Sequence, residues 1–316
     1  MKGAPGESAG LPPGLSVVVP VYNSAEILAE LVARLSPVLA GLGRPYEIVL
    51  VNDGSKDGSW EAICRLARDD SHVRGIRMMR NYGQHNALLA GIRAARFEFT
   101  VTMDDDLQHP PEEIPKLVAK IGEGYDAVYG TPEREQHGLL RDLVSVVTKL
   151  ALQSAMGAEV ARMVSAFRIF RTRLREAFSS YHSPFVNIDV LLTWSSTRFG
   201  ALRVRHDPRQ HGKSNYTLAK LARHALNMVT GFSVVPLQLG SIIGFGFTLF
   251  GMLVLAYVLG RYFITGSSIA GFPFLASIIA IFSGAQLFAL GIMGEYLARI
   301  HFRTMEKPTY AILDET

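Results

Sequence analysis

From Leu15 onward, apolar runs of strand length alternate with stretches of helical spacing. Leu15–Pro20 (LSVVVP) is a short continuous apolar run, the pattern of a strand buried on both faces of a parallel sheet. A helix follows over Ala25–Leu39, with Asn23 three positions before Glu26 as its expected cap. Tyr46–Val51 (YEIVLV) is a second strand and ends in the turn cluster Asn52-Asp53-Gly54-Ser55. Asp57 is placed to cap the next helix, Gly58–Arg68. Val73–Met79 is a third strand, and Asn81-Tyr82-Gly83-Gln84 opens a helix reaching Ala95. In Phe97–Pro111 (FEFTVTMDDDLQHPP) the apolar positions Phe97, Phe99, Val101 and Met103 alternate as a fourth strand. Pro110, Pro111, Glu112 and Glu113 then read as a helix start, and Asp126–Gly130 (DAVYG) as a fifth strand.

This alternation predicts right-handed βαβ units and an open parallel sheet. In such sheets ligands bind beyond the carboxyl ends of the strands. Four polar clusters fall there: Pro20-Val21-Tyr22-Asn23, Asp53, Asn81 and Asp104-Asp105-Asp106. Three adjacent carboxylates repel one another. Either they form a solvated acidic turn before a helix, or they gather around a hard divalent cation that takes oxygen ligands. The first strand–helix turn lacks GxGxxG, which argues against a dinucleotide cradle.

The pattern changes after residue 130. From Leu139 a helix carries an apolar face with Arg141 and Lys149; it either packs on the domain or lies in a membrane interface. Arg162, Arg168, Arg171, Arg173 and Arg175 follow as a basic run, part of it expected to be solvated. Arg203–Leu218 (RVRHDPRQHGKSNYTL) is a basic loop suited to a phosphate or an anionic head group, or else simply to cytosolic positive charge. Leu218–Val235 is amphipathic and leads to two uncharged stretches, Gly240–Gly260 and Ala270–Gly294, each about long enough to cross a bilayer. Arg205, Arg209, Lys213, Lys220 and Arg223 precede them, and Arg299, Arg303 and Lys307 follow. The positive-inside rule therefore places both flanks in the cytosol and makes the spans a hairpin. Gln286 is the one strongly polar residue well inside a span, too little for a transport path.

Composition agrees. The 316 residues are 48% hydrophobic and 19% charged, an apolar excess concentrated near the C-terminus. The net charge of +4 is too small for a nucleic-acid binder's footprint. A single cysteine, Cys64, excludes an internal disulfide and a Cys/His zinc framework. The Gly/Pro-rich opening has no apolar core of a secretory signal.

Together the segments VVVPVYNS, VNDGSKDGS, RNYGQHNAL and DDDLQHPPE, in this order, resemble the family 2 glycosyltransferases of the polyisoprenyl-phosphate type. That group includes dolichol-phosphate mannose synthase and the bacterial enzymes that load glucose or 4-deoxy-4-formamido-arabinose onto undecaprenyl phosphate. The resemblance spans Leu15 to Ile300. It implies an α/β fold of the GT-A (Rossmann-like) type followed by two C-terminal transmembrane helices. It also implies an NDP-sugar donor, Mg²⁺ or Mn²⁺, and a polyprenyl phosphate acceptor. Pro20, Tyr22, Asn23, Asp53 and Asn81 match the donor-binding set. Asp104 and Asp106 are the outer members of the family's DxD, with Asp104 facing the nucleoside and Asp106 and Gln108 holding the metal. Asp105, at the variable middle position, is expected to point away and to be replaceable; His109 is left out of the ligand set. Arg134 and Arg141 resemble the arginines on the donor and acceptor phosphates. Arg209, Lys213 and Ser214 match the family's mobile basic segment.

The implied chemistry is self-consistent. The nucleophile is a phosphate oxygen, and a phosphomonoester with a second pKa of about 6 is already ionised at neutral pH. Met163–Phe167, where some relatives carry an aspartate, holds no carboxylate; either no strong general base is needed, as the ionised acceptor implies, or another group serves as one. One displacement with inversion is expected. Neither Trp60 nor Trp194 follows an arginine, so the QxxRW signature of processive synthases is missing. The expected layout is a disordered 1–14, a cytosolic catalytic domain 15–217, an interfacial helix 218–235, transmembrane helices 236–264 and 270–294, and a cytosolic tail 295–316. The expected setting is the plasma (inner) membrane, multi-pass, with the amphipathic segments leaving a homo-oligomer open. A UDP-sugar and undecaprenyl phosphate are the expected substrates. The alternatives are a transferase acting on another lipid such as diacylglycerol, and a non-catalytic membrane scaffold.

Overall fold

A computed structural model describes residues 11–132, 153, 156–183, 185–207, 235–265, 271–305 and 307–316. The expected helix from Leu139 and the amphipathic segment from Leu218 lie largely outside these residues.

The four strand–helix units appear as expected, with shifted ends. They are β1 (Leu15–Val21), α1 (Leu28–Ala40), β2 (Tyr46–Asn52), α2 (Ser59–Asp69), β3 (Val73–Met78), α3 (Gln84–Ala94), β4 (Phe99–Thr102) and α4 (Ile114–Ile121), the last preceded by a 3₁₀ turn, Pro111–Glu113. β1 and β2 carry unbroken apolar runs because both faces are covered: Val17, Val18 and Val19 have no exposure, nor do Ile48, Val49 and Leu50. β5 (Ala127–Pro132), α5 (Ala158–Met163), β6 (Arg168–Arg171), α6 (Ile188–Thr193) and β7 (Phe199–Val204) complete the domain.

The sheet order is β7-β5-β6-β4-β1-β2-β3, extended by a further strand, β8 (Ile312–Glu315), on the β3 edge. β3, β2, β1 and β4 are parallel, as are β5 and β7. The expectation of a wholly parallel sheet is corrected: β6 runs antiparallel between β4 and β5, and β8 runs antiparallel to β3. Two apolar layers cover the faces. One packs α1, α2 and α4 on the sheet, the other α3 and α6. Gly91 lets α3 lie directly on β1, since a Cβ there would meet Val18 Cγ1 at 2.3 Å.

The C-terminal region forms two long helices, α7 (Val235–Thr265) and α8 (Phe272–Thr304). Their apolar windows, Val235–Ile264 and Ile281–His301, are long enough to cross a membrane and are not buried by protein. α8 is helical ten residues beyond the expected end at residue 294. Phe282 of α8 meets Phe247 and Phe250 of α7, and Arg299 of α8 lies 4.5 Å over the Phe185 ring of the α/β domain. The chain then returns to the sheet as β8. Gly75 N donates to Thr316 Oγ1 at 2.7 Å and Thr316 N to Gly75 O at 3.0 Å.

Candidate active site

The loops leaving β1, β2, β3 and β4 meet at one end of the sheet and are joined to each other by side chain–backbone hydrogen bonds. Asn23 was expected to cap α1, but the helix begins at Leu28 and no side chain caps it. Asn23 instead sits at φ 55°, a left-handed conformation that asparagine tolerates. Its Oδ1 accepts from Lys56 N at 2.8 Å, and its own N–H donates to Ser55 Oγ at 3.0 Å. Asp57 accepts from Ala25 N and Ser59 N, each at 3.1 Å, tying the first two loops again. Gly54, at φ +66°, allows the β2 loop to lie on the β3 loop; a Cβ there would meet Asn81 N at 2.5 Å.

Asp53 opens this β2 loop, 3% exposed. Its two carboxylate oxygens accept from Tyr82 N at 2.7 Å and Gly83 N at 2.9 Å. Burial outweighs those two amides and pushes its pKa up to about 6. Each oxygen retains a lone pair for a ligand N–H or O–H. Tyr22 is exposed, Asn81 stands exposed at the far side of the cluster, and Pro20 lies buried within β1.

The acidic stretch leaves β4 directly into this cluster. Asp104 Oδ1 accepts from Gln84 Nε2 at 2.6 Å, in the first turn of α3. Asp105 does not point away. Its carboxylate faces Ser24 and the Tyr22 backbone, and burial, partly offset by these neighbours, raises its pKa. The middle carboxylate thus lies against the β1 loop, half-buried like its two neighbours. Asp106 Oδ1 accepts from Gln108 N at 3.1 Å, closing an Asx turn over Leu107. Leu107 has φ 56° and is 1% exposed, so burial of its side chain holds a backbone conformation costing on the order of 1–3 kcal/mol.

His109 and His206 complete the wall. His109 stacks on Phe167 at 5.3 Å and meets His206 edge-on at 4.9 Å. Burial, with His206 adding to it, pushes the His109 pKa down to about 4, and both its buried ring nitrogens lack a protein hydrogen-bond partner. Asp207 N donates to Gln108 O at 2.8 Å, so the segment after β7 is fastened onto the acidic turn. His206 was missed in the sequence because β7 was not recognised as a strand. The rule that found the other clusters, polar residues at a strand's carboxyl end, fits it as well.

Asp104, Asp106 and the Gln108 amide offer hard oxygen donors of the kind Mg²⁺ and Mn²⁺ take. Among the described residues no three His, Cys, Asp or Glu side chains close a cage. The set therefore suits an ion held by one or two carboxylates and completed by substrate phosphates, the habit of Mg²⁺. Arg134, Arg141, Arg209, Lys213 and Ser214 lie outside the described residues. Arg168, grouped in the sequence with a solvated basic run, is 2% exposed and paired with Asp189, which closes off that carboxylate as a general base.

Comparison with known proteins agrees with this arrangement. The model of Glycosyl transferase family 2 matches residues 16–177. A protein of Shewanella sediminis named undecaprenyl-phosphate 4-deoxy-4-formamido-L-arabinose transferase is 36% identical over 303 residues, covering 95% of this chain and 92% of its own. One of Yersinia enterocolitica with the same name is 36% identical over 305 residues, covering 94% and 92%. Among solved structures, glucosyl-3-phosphoglycerate synthase from Mycobacterium tuberculosis, in complex with Mn²⁺, UDP-glucose and phosphoglyceric acid, shares the fold. Its TM-score is 0.52 at 19% identity, over 71% of this chain and 79% of that one.

Proposed function

The chain belongs to glycosyltransferase family 2, and from that premise we propose that it moves a sugar from a nucleoside diphosphate sugar, of the uridine type, to undecaprenyl phosphate or a related polyprenyl phosphate. The observation that carries this reading is the convergence of the acidic turn Asp104–Gln108 with the loops after β1, β2 and β3 at one end of the sheet. The relatives' shared name supports the acceptor, and their coverage includes the region of α7 and α8.

In this reading the nucleoside lies on the Tyr22–Asn23 and Asp53 loops, with Asn81 at the rim. Asp53 accepts from the base or ribose. Asp104 faces the nucleoside side and Asp106 with Gln108 the diphosphate. A bound Mg²⁺ or Mn²⁺ there would neutralise charge on the departing diphosphate. Arg134 and Arg141, with Arg209, Lys213 and Ser214, would bring the two anionic substrates into line. The acceptor phosphate oxygen forms the new bond to the anomeric carbon as the bond to the nucleoside diphosphate breaks and its electron pair leaves. The configuration inverts. The acceptor is ionised before it attacks, so no side chain need take a proton.

The same reading makes α7 and α8 a membrane hairpin with the catalytic domain (residues 15–217), residues 218–235 and the tail on the cytosolic face of the plasma membrane. The Arg299–Phe185 contact supports a domain held close to the helix ends. The test is a donor screen. Membranes containing the protein, a divalent metal, polyprenyl phosphate and a panel of UDP- and GDP-sugars are extracted, and the lipid is weighed by mass spectrometry. One donor should yield polyprenyl-phosphate-sugar, and no product from any donor overturns the assignment.

A further inference from the structure

Arg168 is the largest of the fully buried side chains, and the reaction as outlined gives it no part. It stands in β6 opposite Thr102 of β4 and Tyr129 of β5. Its Nε donates to Thr102 Oγ1 at 2.9 Å, and Thr102 in turn donates to Ala166 O at 2.9 Å. Its NH1 donates to Asp189 Oδ1, which also accepts from Tyr129 OH at 3.1 Å. Burial works against the guanidinium charge, but Asp189 and, further off, Asp104 outweigh it and raise the pKa.

A buried ion pair is a poor way to gain stability, because apolar residues of the same volume commonly do as well or better. The position of this one suggests another use. Thr102 ends β4, two residues before Asp104. Asp189 lies in the first turn of α6, whose Ile188 N donates to His85 Nδ1 at 3.4 Å. His85 follows Gln84, which holds Asp104. The contacts thus close a ring from Asp104 through Gln84, His85, Ile188, Asp189, Arg168 and Thr102 back to Asp104. The pair is also oriented: its cation lies on the β4 side, in the field of Asp104, and its anion lies on the α6 side.

We propose that Arg168 is a positioning residue for the donor site, fixing the end of β4 and α6 together and placing a buried positive charge at Thr102, two residues before Asp104. This inference rests on the donor reading above, and concerns how the diphosphate end of that site is held rather than which lipid accepts the sugar. Arg168 acts through Thr102 and Asp104 and does not touch the substrate.

The experiment uses full-length protein in detergent, with UDP and GDP as probes and Mn²⁺ present or absent. Three variants are compared: Arg168→Lys, Thr102→Val, and the paired Arg168→Met with Asp189→Leu. Thermal unfolding, nucleotide Kd and, with the donor found in the screen, KM and kcat are measured. The paired apolar variant should melt near the wild type yet bind nucleotide with Mn²⁺ at least tenfold more weakly, with donor KM rising in step. Arg168→Lys, which keeps the charge, should recover most of that loss. If the paired variant does not fold, Thr102→Val decides: it removes the bridge to β4 together with the bond to Ala166 O, lowers the melting temperature by a few degrees, and should raise donor KM several-fold when assayed below its transition. A folded paired variant, or Thr102→Val, with wild-type nucleotide affinity and KM overturns the proposal and leaves the donor reading standing. A wild type that binds neither nucleotide overturns both. Nucleotide binding that responds as stated, without any lipid product, upholds Arg168's role while the acceptor assignment fails.

Discussion

Gln84 Nε2 donates to Asp104 Oδ1 at 2.6 Å, so the first turn of α3 holds one end of the acidic turn. Hydrogen bonds to a charged group contribute about 1.5–3 kcal/mol, and less where solvent reaches them, as it does here. Gln84→Ala should therefore cost about 1 kcal/mol of donor binding, a fivefold rise in donor KM, with little change in kcat. Steady-state kinetics against the donor checks this, and an unchanged KM removes Gln84 from the site.

The three carboxylates divide their work differently from the sequence expectation. Asp105 lies against Ser24 and the Tyr22 backbone, so Asp105→Ala removes a contact of the β1 loop. Loss of this half-buried contact should lower stability by about 1 kcal/mol and raise donor KM while metal-dependent turnover persists. Asp106→Ala should instead leave the melting temperature close to wild type and reduce turnover on the order of 100-fold or more, as removal of an ion's ligand does. Chelation by EDTA should mimic Asp106→Ala, not Asp105→Ala. Melting curves with kinetics on both variants separate the two roles.

The part of the fold legible in the sequence was the part whose pattern depends on local burial. β1 to β4 are covered on both faces, so their apolar runs and the polar residues at their ends stand out. β6 reads RIFR and hides among arginines, because what makes it a strand is its two antiparallel neighbours. β8 reads ILDE beyond the long helices, and only the edge of β3 gives it a partner. The same limit applied to the site. Asp53, Asp104 and Asp106 were visible as strand-end acids. Which arginine of the basic run is buried was not legible, because Arg168's partner, Asp189, lies 21 residues on and its contacts are set by the sheet. Asp105's direction was invisible because Ser24 and Asp105 meet only once β1 and β4 are paired.

Asp53 gives a pH dependence with a definite sign. Its pKa is pushed up to about 6 by burial, against the pull of the Tyr82 and Gly83 amides. If the anion accepts from the nucleoside, affinity should fall about fourfold between pH 7.5 and 5.5 as the carboxyl protonates. The stability effect runs the other way. Between the unfolded pKa and about 6 the folded state binds the extra proton, so this group's contribution to stability is greatest at low pH and declines as pH rises. Weaker nucleotide binding at pH 5.5 would thus not be caused by Asp53 loosening the fold. Asp53→Asn should show weak binding without this pH step. Nucleotide titrations at several pH values test it, and a flat profile for the wild type removes the carboxylate from recognition.

β8 joins the end of the second long apolar helix, α8, to the sheet, which makes it separable from both. Thr309 is buried, Tyr310 lies under Arg93 at 5.7 Å, and Met79 N donates to Ala311 O at 2.9 Å before the strand pairs with β3. Thr316 then exchanges two hydrogen bonds with Gly75. These contacts satisfy the β3 edge, which otherwise offers unpaired N–H and C=O groups to other chains. Deleting residues 309–316 leaves both long helices intact. Membrane insertion should therefore be unchanged, while the catalytic domain loses about 1–3 kcal/mol, a fall of roughly 2–8 °C in melting temperature. The bared edge should also increase aggregation on heating. Donor KM should rise modestly even below the transition, since the deletion also releases Met79 N from Ala311 O at the carboxyl end of β3, two residues before Asn81 of the proposed donor site. Differential scanning of the full-length and shortened proteins, with light scattering, measures each effect. An identical melting temperature would mean that β8 does not hold the sheet edge.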